Sequence, residues 1–132
     1  MGLRISRALQ AQLLAEAAAT PEREVCGLLF GITADTVTMI RACENIAANP
    51  ADNFEIDPVA LIAAHKAERA GGPRLIGCYH SHPNGVDEPS ARDREAAWGN
   101  DTLWLIIAAN RLAAWKNSDV GAFARVEIES EG

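Results

Sequence analysis

The sequence lacks the marks of several large protein classes before it shows those of any one. No cluster of Lys and Arg interrupts a formal charge of -6, with 18 acidic residues against 12 basic. Phosphate backbones and anionic membranes are poor partners for such a chain, so neither nucleic acid nor a membrane surface is expected. Apolar runs such as Leu103 to Ala109 fall far short of the roughly 20 residues that span a bilayer. The amino terminus carries no basic segment followed by an apolar run and a cleavage site, which leaves a cytoplasmic location as the expectation. Cysteine is scarce, and Cys26, Cys43 and Cys78 form an odd count without Cys-x-x-Cys spacing. A disulfide framework is excluded, and the three read as small buried hydrophobes. Repeats, low-complexity tracts and linkers are also missing.

What is present suits one folded unit. A length of 132 residues, 48% hydrophobic and 23% charged, predicts a single domain over 1–132 with a real core. Ser6 to Ala19 places Leu9, Leu13 and Leu14 at helical spacing among good helix formers, with Ser6 as cap and Thr20-Pro21 as the stop. Val25 to Gly31 is an apolar run too short for a helix, and it predicts a covered strand with Glu24 at its entrance. Thr36 to Ala42, rich in β-branched residues, predicts a hairpin partner for it. Phe54-Glu55-Ile56 reads as a short strand. Asp57-Pro58 opens a helix whose apolar stripe is Val59, Leu61, Ile62 and Ala63 and which ends at Gly71-Gly72-Pro73. Arg74 to His82 is the expected central strand, followed by a turn at Pro83-Asn84-Gly85 and a helix from Ser90 to Trp98. Strands over Thr102 to Ala109, Leu112 to Lys116 and Ala122 to Glu129 complete an α/β architecture, a mixed sheet flanked by helices.

Chemistry concentrates around the central strand. His80 and His82 are two apart, and the period of a strand sends both imidazoles to one face. Alone, the pair is only a weak metal signal. Catalytic zinc takes three protein ligands and leaves a fourth position for water. Asp93, on the first turn of the next helix beyond a Pro- and Gly-containing loop, is the natural third ligand. Hydrolysis also needs a carboxylate to take a proton from water and return it to a leaving amine. Glu24, placed where a bare carboxylate is costly unless it edges a cleft, is the candidate. Ser90 with Asp93 reads equally as a helix capping box, a role compatible with pointing a hydroxyl at the site. His65 has no partner spacing and reads as a helix-surface residue.

Taken together, Glu24, His80-Ser81-His82-Pro83, Ser90 and Asp93, with ten residues between His82 and Asp93, resemble the motif of the JAMM (MPN-plus) metalloproteases. The runs Glu24 to Gly31 and Phe54 to Pro58 are similar to those of its short prokaryotic single-domain members. The resemblance implies a cytidine-deaminase-like mixed β-sheet flanked by helices. It also implies one zinc ion per chain on His80, His82 and Asp93, with Glu24 as general base and Ser90 as a donor to the oxyanion. Base deamination is disfavoured, because the Pro-Cys-x-x-Cys zinc motif of the deaminases is absent. The implied substrate is a peptide or isopeptide bond after the Gly-Gly tail of a ubiquitin-like or sulfur-carrier protein, the tail lying along a sheet edge. A non-catalytic MPN scaffold and a zinc amidohydrolase of small peptides are the alternatives. The oligomeric state and the carrier's identity are not legible.

Overall fold

The computed structural model describes residues 2–97, 101–119 and 121–131. Strand β1 (Leu3–Ser6) leads directly into helix α1 (Arg7–Ala19), where the Ser6 hydroxyl accepts the Leu9 N–H as an N-cap. Then come β2 (Cys26–Gly31), β3 (Thr36–Val37), β4 (Met39–Cys43), α2 (Pro58–Arg69) and β5 (Arg74–Ser81). The chain continues through α3 (Ala91–Ala96), β6 (Thr102–Ala108), β7 (Arg111–Asp119), β8 (Ala122–Val126) and β9 (Ile128–Glu131).

Six strands form the main sheet in the order β4-β2-β5-β6-β7-β8. Only β5 and β6 run parallel; the other pairs are antiparallel. The expected mixed α/β sheet is therefore present, and β2 and β4 pair as anticipated. Three strand expectations need correction. The Thr36 to Ala42 run is split, because Val37 turns away to join β1 in a second sheet, ordered β3-β1-β9 and parallel throughout. The last run is split likewise, β8 staying on the main sheet and β9 crossing to β1. Phe54 to Ile56 is no strand but a loop carrying one isolated bridge, Asn45 to Ile56.

Alternation along each strand feeds two cores. Leu29, Tyr79, Leu103, Leu105 and Ile107 face one way, toward β1 and Leu13 of α1. Leu28 and Phe30 face the other way, toward Ala64 of α2. The stripe expected on α2 is wrong in detail: Val59 and Ile62 are 73% and 55% exposed. Residues 59, 61, 62 and 63 wrap around a helix, and the face that packs is the one holding Leu61 and Ala64. Helix α2 otherwise begins as expected, with the Asp57 side chain accepting the Val59 N–H and Pro58 at the first turn, and His65 is exposed. Helix α3 starts at its Ser90 cap and ends at Ala96, short of the expected extent, because Ala97 is already extended; Trp98 itself lies outside the described residues. Cys26 and Cys78 are buried, whereas Cys43 on the edge strand β4 is only half-buried.

Two contacts hold the strands that carry the site. Gly77 lets β5 meet β6 closely, since a Cβ there would stand 1.8 Å from the Leu103 carbonyl oxygen. Tyr79 donates its hydroxyl hydrogen to Glu16 at 2.7 Å, tying α1 to β5. No described helix is long and apolar enough to cross a membrane.

Candidate metal centre

With Tyr79 directed to the α1 face, alternation sends His80 to the opposite face, where it is fully buried. His82 lies one residue past the strand end and is held by its N–H to the Ile107 carbonyl at 2.9 Å. The two Nε2 atoms stand 2.9 Å apart. Asp93, the third residue of α3, points Oδ2 between them, at 3.1 Å from His80 and 3.0 Å from His82. The same oxygen accepts the Ser90 N–H at 2.8 Å, while the Ser90 hydroxyl accepts the Asp93 N–H at 3.1 Å. Ser90 and Asp93 thus form a reciprocal capping box that fixes the carboxylate's orientation.

The loop after β5 sets the tautomer of His82. Gly85, at φ +81°, returns the chain so that its N–H reaches the His82 carbonyl, and Asn84 Oδ1 accepts the Val86 N–H. The Val86 carbonyl then accepts from His82 Nδ1 at 2.7 Å. With its hydrogen on Nδ1, neutral His82 presents a lone pair at Nε2, as a metal ligand must. His80 has no such bond: its buried Nδ1 has no hydrogen-bond partner. Its ring is placed by aromatic packing instead, stacked on Phe54 at 4.2 Å and 19°, with Trp104 edge-on at 5.6 Å.

Glu24 reaches the same spot from the entrance of β2. Its side chain is only 4% exposed, Oε1 has no hydrogen-bond partner, and a carboxylate oxygen lies within 4.8 Å of donor nitrogens of both histidines. Burial pushes its pKa up to about 8; Asp93 and Asp52 add to the rise and His82 opposes it. Asp93 behaves oppositely. Burial alone would raise its pKa, but the two imidazoles beside it and the Ser90 N–H together outweigh burial and hold it well below the usual carboxylate range. Burial lowers the pKa of His80; for His82 burial also acts downward, but the Asp93 carboxylate, the Val86 carbonyl and the Glu24 charge together outweigh it and raise the pKa. The cleft over these groups is lined by Glu24, Ala51, Asp52, His82, Pro89 and Ser90.

The arrangement fits zinc on its donor chemistry. Tetrahedral ligands with bonds of about 2.0–2.2 Å sit about 3.4 Å apart. The triangle of Nε2, Nε2 and Oδ2, at 2.9 to 3.1 Å, is a few tenths of an ångström tighter. Among the described residues, Glu24, His80 and His82 also form a possible ligand set. Asp93 is in direct contact with both rings and closes the tighter triangle, with Glu24 beside it. All five residues singled out from the sequence meet here.

The sequence reading missed the supports. Ser81, between the histidines, accepts the Val25 N–H on its hydroxyl at 2.8 Å and donates its own N–H to the Val25 carbonyl at 3.0 Å. These bonds fix the chain next to Glu24. Phe54, Trp104 and the Val86 carbonyl were also missed. Of these only Val86 had a local signal, the Pro83-Asn84-Gly85 turn.

Comparison with known proteins places the chain in a family. A family model described as prokaryotic homologs of the JAB domain matches residues 6–120. A desampylase of Haloferax volcanii is 43% identical over 93 residues, covering 70% of this chain and 67% of that protein. A probable TtuB-protein conjugate cleaving protease of Thermus thermophilus is 44% identical over 55 residues, covering 41% of this chain and 37% of that protein. The solution structure of a Desulfitobacterium hafniense protein superposes with a TM-score of 0.80 at 27% identity, covering 98% of this chain and 92% of the other.

Proposed function

Because this chain belongs to the family of prokaryotic homologs of the JAB domain, we propose that it is a JAMM-type zinc isopeptidase. It acts as one domain over 1–132, in the cytoplasm, and cleaves the bond after the Gly-Gly tail of a ubiquitin-like or sulfur-carrier protein. The observation that carries this reading is the convergence of His80 Nε2, His82 Nε2 and Asp93 Oδ2 beside an unpartnered, buried Glu24 carboxylate.

One zinc per chain would be held by His80, His82 and Asp93, and it would supply a Lewis acid that lowers the pKa of a water and polarises the scissile carbonyl. Glu24 carries the proton. Its carboxylate takes one from the attacking water and returns it to the departing nitrogen. A buried carboxylate holds that proton more firmly than an exposed one, which suits the exchange. The Ser90 hydroxyl accepts from the Asp93 N–H, so its own hydrogen is free for the oxyanion that forms at the attacked carbonyl.

The substrate class rests on similarity and on shape. The Haloferax relative is a desampylase, and the Thermus relative is named for cleaving protein conjugates. The cleft beside Glu24 mixes apolar walls from Ala51, Pro83, Val86 and Pro89 with polar groups from Asp52, Asn84, Glu88 and Ser90, and a tail without side chains would set its backbone amides against those polar groups.

The test is an isopeptide conjugate of a folded Gly-Gly-tailed carrier, offered beside short peptides to the purified chain after its zinc is quantified. The reading expects about one zinc per chain, preference for the conjugate, and loss of cleavage with chelator or in Glu24→Gln. Zinc without cleavage of anything would mark a non-catalytic scaffold. Equal cleavage of short peptides would reassign the substrate.

A further inference from the structure

We infer that Asn45 is a positioning residue that joins the general base to the ring over the metal ligand His80. The inference rests on the zinc site proposed above. Asn45 follows β4 by two residues and is 8% exposed, and all four of its amide hydrogen-bonding positions are used within the chain. Nδ2 donates to the Glu24 carbonyl at 2.9 Å and the Asn53 carbonyl at 3.0 Å. Oδ1 accepts the Ala47 N–H at 3.0 Å and the Glu55 N–H at 3.1 Å.

The placement of these bonds carries the argument. The Asn53 carbonyl and the Glu55 N–H bracket Phe54, so one side-chain amide clamps the backbone on both sides of the residue whose ring stacks on His80. The same amide group holds the backbone of Glu24. Glu24 gains a second tie from its own N–H to the Pro50 carbonyl at 2.7 Å, within the same loop. His80 lacks the Nδ1 hydrogen bond that usually orients a metal-ligating histidine, so its ring depends on Phe54, and Phe54 on Asn45. An aspartate at 45 would keep the acceptor for Ala47 and Glu55 but lose both donors. A leucine at 54 would remove the flat ring and leave the amide clamp in place.

Zinc affinity is the readout, measured by competition with a chromophoric chelator on the full chain, alongside Tm and the separate kcat and KM for conjugate cleavage. Asn45→Ala and Phe54→Leu are each expected to weaken zinc by about 10-fold or more, the range seen when a ligand's outer support is removed. The double variant should bind no more than about 2-fold more weakly than Asn45→Ala, because both act through the His80 ring. Asn45→Asp, whose second carboxylate oxygen would face the Glu24 and Asn53 carbonyl oxygens, should bind zinc no more tightly than Asn45→Ala, and in both variants the loss of activity at saturating zinc should fall on kcat with KM nearly unchanged. If Asn45→Ala lowers Tm but folded protein binds zinc as the parent does, Asn45 is merely structural and the inference fails. Additive losses in the double variant would overturn it as well. A parent chain that takes up no zinc overturns both this inference and the site reading; a parent that binds, with Asn45→Ala unaffected, overturns this inference alone.

Discussion

Oδ2 of Asp93 lies 3.0 Å from Nε2 of His82, and each atom is fixed from behind: the carboxylate by the Ser90 N–H, the imidazole by the Val86 carbonyl. Neither side chain needs to move to present a lone pair to a shared cation. Preorganisation of this kind makes the site depend on each donor. Asp93→Asn keeps the size of the side chain and removes the charge. It should weaken zinc by at least about 100-fold, beyond the usual cost of losing an outer partner alone. Equilibrium dialysis against a zinc buffer measures this, and near-parental affinity would move the third ligand elsewhere, with Glu24 the nearest alternative.

Glu24→Gln separates binding from chemistry. The amide fills the same space and cannot accept the water's proton, so the zinc content should stay at the parental level while kcat falls by about 10²–10⁴-fold. Parallel loss of zinc and activity would make Glu24 a ligand rather than a base.

The sign of a pH effect can be read without any substrate. In metal-free protein Glu24 titrates near 8, against an ordinary value of 4.5, chiefly through burial. Between those values the folded chain binds the extra proton, so the stability Glu24 contributes is full below about pH 4.5 and is lost as pH rises through about 8. The change is at most about 5 kcal/mol. His80, with its pKa lowered, and His82, with its pKa raised, add pH dependences of opposite sign, so the measurement is a difference: urea unfolding of parent minus Glu24→Gln, with chelator present, from pH 5 to 8. The difference should decline steadily with pH; a flat or rising curve contradicts the burial account.

Ser90 has two jobs that can be told apart. Ser90→Ala removes the cap of α3, worth about 1 kcal/mol, and the hydroxyl donor, worth about 10²–10³-fold in kcat. Ser90→Asp restores an N-cap acceptor without restoring a donor, so stability should recover in part while kcat does not. Recovery of both would reduce Ser90 to a structural cap.

How much of this the sequence shows depends on how local each signal is. Ser6, Asp57-Pro58 and Ser90 mark their helices because capping is settled within three or four residues. The His80-Ser81-His82 spacing places both rings correctly because strand alternation is equally local. The small second sheet was not legible: Leu3 to Ser6 and Ile128 to Glu131 pair across the whole length of the chain, and neither run is apolar enough to stand out. Asn45 and Phe54 were missed for a related reason. A polar residue in a loop looks solvent-exposed until the four backbone groups that converge on it are known.

The most direct test of the central claim is the intact mass of a carrier conjugate before and after incubation with the zinc-loaded chain. The account predicts two products, the carrier ending in its free Gly-Gly carboxylate and the partner protein with an unmodified lysine, with no conversion by Glu24→Gln or in chelator. Products cut anywhere else, or the same products from Glu24→Gln, would contradict it.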